Sequence, residues 1–117
     1  MTICIIVEGK NDVLQLKKLL TDEVLILCTF GIPGTGRIEQ LLEEAGDLPI
    51  YLLTDNDDSG RRIRGVLRET FPDAEHIYTN KGYAGVEGTP GEYLLRRLEK
   101  AGLGEFIAPD SGSRFLR

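Results

Sequence analysis

The sequence predicts an α/β fold, a parallel sheet of about four strands with helices packed on both faces. Three observations carry that expectation. Four short apolar runs, residues 2–7, 24–29, 49–53 and 75–78, alternate with stretches whose apolar residues recur at helical spacing. Such alternation belongs to parallel sheets, whose crossovers are helical and right-handed. The runs are apolar almost throughout, as in Ile3-Cys4-Ile5-Ile6-Val7, which is how strands covered on both faces read. Finally, 117 residues with 41% hydrophobic content suffice for one domain around one core.

Residues 2–7 form the first strand. Lys10-Asn11-Asp12 opens a helix with Asn11 or Asp12 as cap, and Val13, Leu16, Leu19 and Leu20 form its inward face through Thr21. Residues 24–29 are the second strand. A glycine-rich turn, Phe30-Gly31-Ile32-Pro33-Gly34-Thr35-Gly36-Arg37, leads into a helix with Ile38, Leu41, Leu42 and Ala45 at i, i+3, i+4 and i+7, ended by Gly46. The third strand, 49–53, runs into an acidic loop. A helix from about Ser59 to Thr70 follows, with Ile63, Val66 and Leu67 inward, then the short strand 75–78. Residues 79–91 read as a mobile loop. Pro90 suits the first turn of a last helix, with Leu94, Leu95 and Leu98 inward, stopped by Gly102. The tail, 104–117, shows little periodicity. There is no repeat or linker.

The composition bounds the setting. No apolar run approaches the roughly 20 residues that span a bilayer, and the start of the chain is too short and uncharged for a signal peptide. Cys4 and Cys28 fall inside apolar runs and read as buried free thiols, so the expected location is cytoplasmic. A net charge of −5 does not suit a general nucleic-acid binder, yet Arg61, Arg62, Arg64 and Arg68 are clustered just after the acidic loop. A solvated helix face explains them equally well.

The chemistry centres on Leu53-Thr54-Asp55-Asn56-Asp57-Asp58-Ser59-Gly60. Three carboxylates within four residues repel one another, and a hard divalent cation with oxygen ligands compensates them. Asp55 and Asp57, at i and i+2, can face one ion, with Asp58 capping the next helix. Glu8-Gly9-Lys10 ends the first strand in the same way. Carboxyl ends of parallel strands are where open α/β sheets bind ligands, so Glu8, Asp55 and Asp57 form one acidic pocket if their strands are neighbours.

Other patterns fit less well. An EF-hand would need Glu where Val66 stands, and a helix where a strand precedes. Asx turns at a helix start need only one carboxylate. Gly31 to Ile38 has the glycine spacing of a P-loop but has Arg37 for its Lys and Ile38 for its Ser/Thr; the remaining expectation is that amides near Gly31, helped by Arg37, hold a phosphate. A phosphoacceptor receiver domain would need an acidic pair after strand 1 and a lysine after a fifth strand. His76 has no Cys or His neighbour in sequence and reads as structural.

Val7-Glu8-Gly9-Lys10-Asn11-Asp12, followed by Leu53-Thr54-Asp55-Asn56-Asp57-Asp58-Ser59-Gly60-Arg61-Arg62-Ile63-Arg64, resembles the Toprim domain. That domain occurs in topoisomerases, bacterial primases, recombination proteins and nucleases. Its signature is a Glu after strand 1 and Asp-x-Asp after strand 3. The likeness is closest to the Toprim domain of bacterial 5S ribosomal RNA maturases, through Val-Glu-Gly-Lys, the arginine-rich helix and Gly85-Val86-Glu87. It covers about residues 2–80, with a C-terminal helix and tail over 89–117.

The resemblance implies a single Toprim domain over 1–117, a Rossmann-like three-layer sandwich. It implies Mg²⁺, with Mn²⁺ as a substitute, held by Asp55 and Asp57, and Glu8 as general acid/base or a further metal ligand. Gly9 and Gly60 would permit the two turns. Read from the residues rather than from the resemblance, Lys10, Gly31, Arg37, Arg61, Arg62 and Arg64 are the expected phosphate-holding positions. The implied function is Mg²⁺-dependent cleavage of nucleic acid, structured RNA favoured over DNA. The alternative is a non-catalytic Toprim module that binds metal and nucleic acid, a protein partner, or a second copy of itself.

Overall fold

In the computed structural model, residues 1–54, 57–78 and 91–109 are described. Four strands, β1 (Ile3–Val7), β2 (Val24–Cys28), β3 (Ile50–Thr54) and β4 (Glu75–Tyr78), form one sheet in the order β2-β1-β3-β4, every pair parallel. The helices are α1 (Lys10–Leu19), α2 (Thr35–Ala45), α3 (Asp58–Thr70) and α4 (Gly91–Lys100). The architecture is the α/β three-layer arrangement expected, and strands 1 and 3 are neighbours.

Alternation along the strands builds the layers. Ile3, Ile5 and Val7 pack with Leu53, with Leu16 and Leu19 of α1, and with Leu94, Leu95 and Leu98 of α4. Cys4 and Ile6 point the other way, onto Leu52, Leu41 and Ala45 of α2, and Ile63 and Leu67 of α3. Ile5 and Ile6 are fully buried; burial of such a side chain contributes about 1.5–3 kcal/mol. Cys4 and Cys28 are buried free thiols in opposite layers. Burial, and to a lesser degree the charge of Glu44, pushes the Cys4 thiol up to about 12, which suppresses the reactive thiolate.

Boundaries shift by a few residues from the sequence pattern. The second helix begins at Thr35 because Gly34 is its cap, ahead of the first apolar residue. Gly46 and Gly102 end their helices with φ of 54° and 85°, a conformation that favours glycine. The start of the tail is ordered against the core. Gly104–Phe106 is a 3-10 turn, Leu20 and Ile107 form an antiparallel bridge, and Phe106 is buried. A three-residue turn has no amphipathic period to detect. The expected loop 79–91, with Glu87 and Pro90, and residues 110–117 lie outside the described residues, except that Gly91 begins α4. Among the described residues no helix is long and apolar enough to cross a membrane.

Candidate metal and nucleic-acid site

Glu8 follows directly on β1 and is half-buried, with Oε2 out of solvent. Its backbone is held from two sides. The N–H groups of Phe30 and Gly31 and the hydroxyl of Thr29 donate to the Glu8 carbonyl, at 2.8, 3.4 and 3.4 Å, while Thr29 N–H donates to Val7 O at 2.9 Å. On the helix side, the buried Asp12 carboxylate accepts from Gly9 N–H at 3.0 Å. Asp12 thus braces the Glu8-Gly9 corner from the first turn of α1. The sequence put the cap of this helix at Asn11 or Asp12; the cap is Gly9, and Asp12 stands inside the first turn and reaches back to it.

The pairing of Ile6 with Leu52 sets the next positions. Two residues on, Glu8 stands beside Thr54 at the carboxyl edge of the sheet. Thr54 is fully buried, and its hydroxyl has no hydrogen-bond partner among the described residues. Asp55, the first expected metal ligand, lies outside the described residues, as does Asn56. Asp57 is the cap of α3, its Oδ1 accepting from Gly60 N–H at 2.7 Å. Asp58, the expected cap, instead lies in the first helical turn and pairs with Arg61. Asp57 is exposed, and a carboxylate that accepts one N–H keeps further lone pairs for an ion. Among the described residues no three His, Cys, Asp or Glu side chains converge as a metal site. The donors present, carboxylate oxygens at two adjacent strand ends, suit a hard divalent ion.

The two turn glycines take ordinary conformations. Gly9 is extended, with φ −138° and ψ 174°, and a Cβ there would meet Asp12 Oδ2 at 3.7 Å, an ordinary contact. Gly60 is buried inside α3. The glycine that needs its freedom here is Gly31, with φ 83°. Its amide faces the Glu8 carbonyl rather than solvent, so it braces the site instead of offering an N–H to phosphate.

The cations divide into two groups. Lys10, Arg61 and Arg62 are exposed. Arg64 departs from the phosphate-binding expectation, being only 3% exposed. Its Nη1 donates to His76 Nδ1 at 2.7 Å, Nη2 donates to Ile77 O at 3.1 Å, and its guanidinium lies 3.8 Å from the Tyr78 ring centroid. Helical rotation turns it onto the sheet, where β4 supplies the acceptors. Arg37 donates Nε and Nη2 to Cys28 O and Nη1 to Gln40 Oε1, and stacks 4.9 Å from the Phe30 centroid. It secures the end of β2, a role the sequence did not announce. Burial, then the charges of Arg64 and Arg68, lower His76 from its ordinary range, consistent with a neutral ring accepting at Nδ1.

Comparison with known proteins places the chain in a family. The Toprim domain family model matches residues 3–83. Uncharacterized protein YusF of Bacillus subtilis is 34% identical over 98 residues, 84% of this chain and 67% of that protein. Ribonuclease M5 of Fusobacterium nucleatum is 33% identical over 103 residues, 83% of this chain and 56% of that protein. Ribonuclease M5 of Lactococcus lactis is 30% identical over 124 residues, 93% of this chain and again 56% of the enzyme. The chain thus spans little more than half the length of these ribonucleases. A solved small TOPRIM domain protein from Bacillus stearothermophilus superposes with a TM-score of 0.81 at 34% identity, covering 95% of this chain and 92% of that one.

Proposed function

Because this chain belongs to the Toprim domain family, we propose that it carries out divalent-metal-dependent phosphoryl transfer on nucleic acid, with cleavage of structured RNA as its reaction. The observation that carries this reading is the parallel pairing of β1 with β3, which sets Glu8 beside the strand end that precedes the acidic stretch. The similarity to ribonucleases M5 favours RNA over DNA.

Asp57 and Asp55, with Glu8, would hold Mg²⁺, or Mn²⁺ in its place. A divalent ion there supplies Lewis-acid neutralisation of charge developing on the phosphoryl oxygens. Glu8 takes the proton of the attacking hydroxyl or returns one to the leaving oxygen. Its hydrogen-bonded backbone keeps the Glu8 main chain in place while substrate binds, and Oε2 is shielded from solvent. Asp57 stays at the mouth of α3 through its cap to Gly60 N–H. Lys10, Arg61 and Arg62 are exposed and would meet phosphates, Arg61 by exchanging its pair with Asp58 for the substrate. Carboxylates with a rim of exposed cations would give orientation first and charge stabilisation second.

A second reading is a binding module without turnover. The commitment of Arg64 and Arg37 to backbone carbonyls supports it, because it leaves fewer cations for substrate on a chain of net charge −5. One experiment separates the two. Labelled structured RNA and single- and double-stranded DNA are incubated with the protein in Mg²⁺, Mn²⁺ or EDTA, beside Glu8→Gln and Asp57→Asn. Metal-dependent cleavage that falls about 10²–10⁴-fold in Glu8→Gln is the expected result. Tight binding with no cleavage by well-folded protein selects the module. Arg61→Ala with Arg62→Ala then weakens nucleic-acid binding but leaves a protein partner's binding intact.

A further inference from the structure

We propose that Phe30 is the stacking platform for an unpaired nucleobase, so that the substrate presents a single-stranded nucleotide next to the phosphate at the carboxylate edge. This rests on the function proposed above and deepens it.

Phe30 is 58% exposed and has φ 57°, the one non-glycine residue of positive φ among the described residues. A bulky side chain is an outlier in that region, and such strain persists where the surroundings over-determine it. Here the surroundings are the site itself. Phe30 N–H donates to Glu8 O at 2.8 Å, and Thr29 before it and Gly31 after it are bonded to Val7 and Glu8. The ring is therefore tied by its own backbone to the chain segment carrying the Glu8 carboxylate. Strain on a buried ring would be offset by packing, but an exposed ring receives little of that.

The ring is also prepared for a flat partner. Arg37 lies 4.9 Å from its centroid, and Cys28 O and Gln40 Oε1 hold that guanidinium still. A cation on one face leaves the other face and the ring edges to account for the exposure. Every nucleobase offers a π face of matching size, and aromatic and arginine planes stacked together are a common way to hold unpaired bases. Beyond Arg37, and not touching Phe30, an open apolar groove of about 300 Å³ between α1 and β2 is lined by Val13, Leu14 and Ile26, with Lys10 at its rim. Lys10, exposed at that rim, is the cation that suits a phosphate beside an apolar, planar group.

Fluorescence anisotropy of a labelled single strand of about 12 nucleotides and of its duplex tests the assignment. Ca²⁺ replaces Mg²⁺ to separate binding from turnover. Wild type is compared with Phe30→Asn, which removes the ring but tolerates the left-handed backbone, and with Phe30→Trp. Phe30→Asn should weaken single-strand binding about 5- to 100-fold and duplex binding no more than about twofold. Phe30→Trp should bind as wild type does, with indole emission quenched by the single strand. Unchanged affinity in Phe30→Asn, or no quench in Phe30→Trp, overturns the platform while the functional reading stands. A wild type that self-associates and a Phe30→Asn variant that does not, with unchanged oligonucleotide affinity, make the surface a protein interface and overturn it too. A wild type that binds no oligonucleotide removes the functional reading and the platform together.

Discussion

At the end of β4, Arg64 lies 3.8 Å from the Tyr78 centroid and donates to Ile77 O; at the end of β2, Arg37 lies 4.9 Å from the Phe30 centroid and donates to Cys28 O. Both outer strands thus finish with an arginine that satisfies a strand carbonyl and stacks on an aromatic ring. The surroundings differ. Arg64 is buried under α3, with His76 as a further partner, and Arg97 Nε donates to Tyr78 O at 2.8 Å from α4. Tyr78 is itself 41% exposed but sits on regular strand backbone, whereas Phe30 is 58% exposed on strained, left-handed backbone. One end of the sheet spends its arginine on closing the fold. The other keeps the same pairing accessible, next to Glu8.

If that contrast is right, breaking the buried pair has the largest effect on stability. Arg64→Ala removes two hydrogen bonds, leaves Ile77 O without that donor and opens a cavity, so it should destabilise the fold by about 2–4 kcal/mol. Urea unfolding measures it. A loss below about 1 kcal/mol, in the range of a surface substitution, would erase the distinction between the two ends.

Phe30→Asn sharpens the contrast from the opposite side. An exposed ring in left-handed backbone contributes little packing, and Asn suits that conformation better. The substitution should stabilise the fold by about 0.5–1 kcal/mol in the same assay. Destabilisation would mean that the ring packs more tightly than its exposure indicates.

The smallest effect is a pH dependence confined to the β4 end. His76 has its pKa lowered by burial first and by the Arg64 and Arg68 charges next, so the unfolded chain takes up a proton more readily than the folded one. Its contribution is present above the ordinary value of 6.5 and lost as pH falls through that value toward the lower folded one. Urea midpoints between about pH 5 and 8 should therefore fall toward acid more steeply in wild type than in His76→Asn. Parallel profiles would show that the Arg64 pair tolerates a charged ring.

Much of the scaffold was legible in local pattern. The four strands, the inward leucines of α4 and the glycines closing α2 and α4 follow from apolar spacing and helix-stop chemistry. So does the placing of Glu8 at a strand end. What escaped was non-local. Arg61 and Arg64 are three residues apart on one helix, so spacing puts them on one side, yet one is exposed and the other buried. The difference comes from β4, since α3 begins beyond the sheet edge and Arg64 reaches its acceptors one turn later. Phe30 looked like part of a glycine-rich turn, and its exposure and left-handed backbone depend on the Glu8 carbonyl across the gap. The docked start of the tail rests on bonds to Leu19 and Thr21, far back in the chain.

The sequence by itself determined the α/β class, the family and the identity of the acidic stretch. Periodicity, turn chemistry and short motifs are properties of neighbouring residues, and they survive without any knowledge of packing. Tertiary structure alone decided that β1 lies between β2 and β3, that Asp12 braces Gly9, that Arg64 serves the fold and that Phe30 stands open beside Glu8. Each of those depends on where a donor finds its acceptor. Strand order sets that distance, and strand order follows from which apolar faces bury one another.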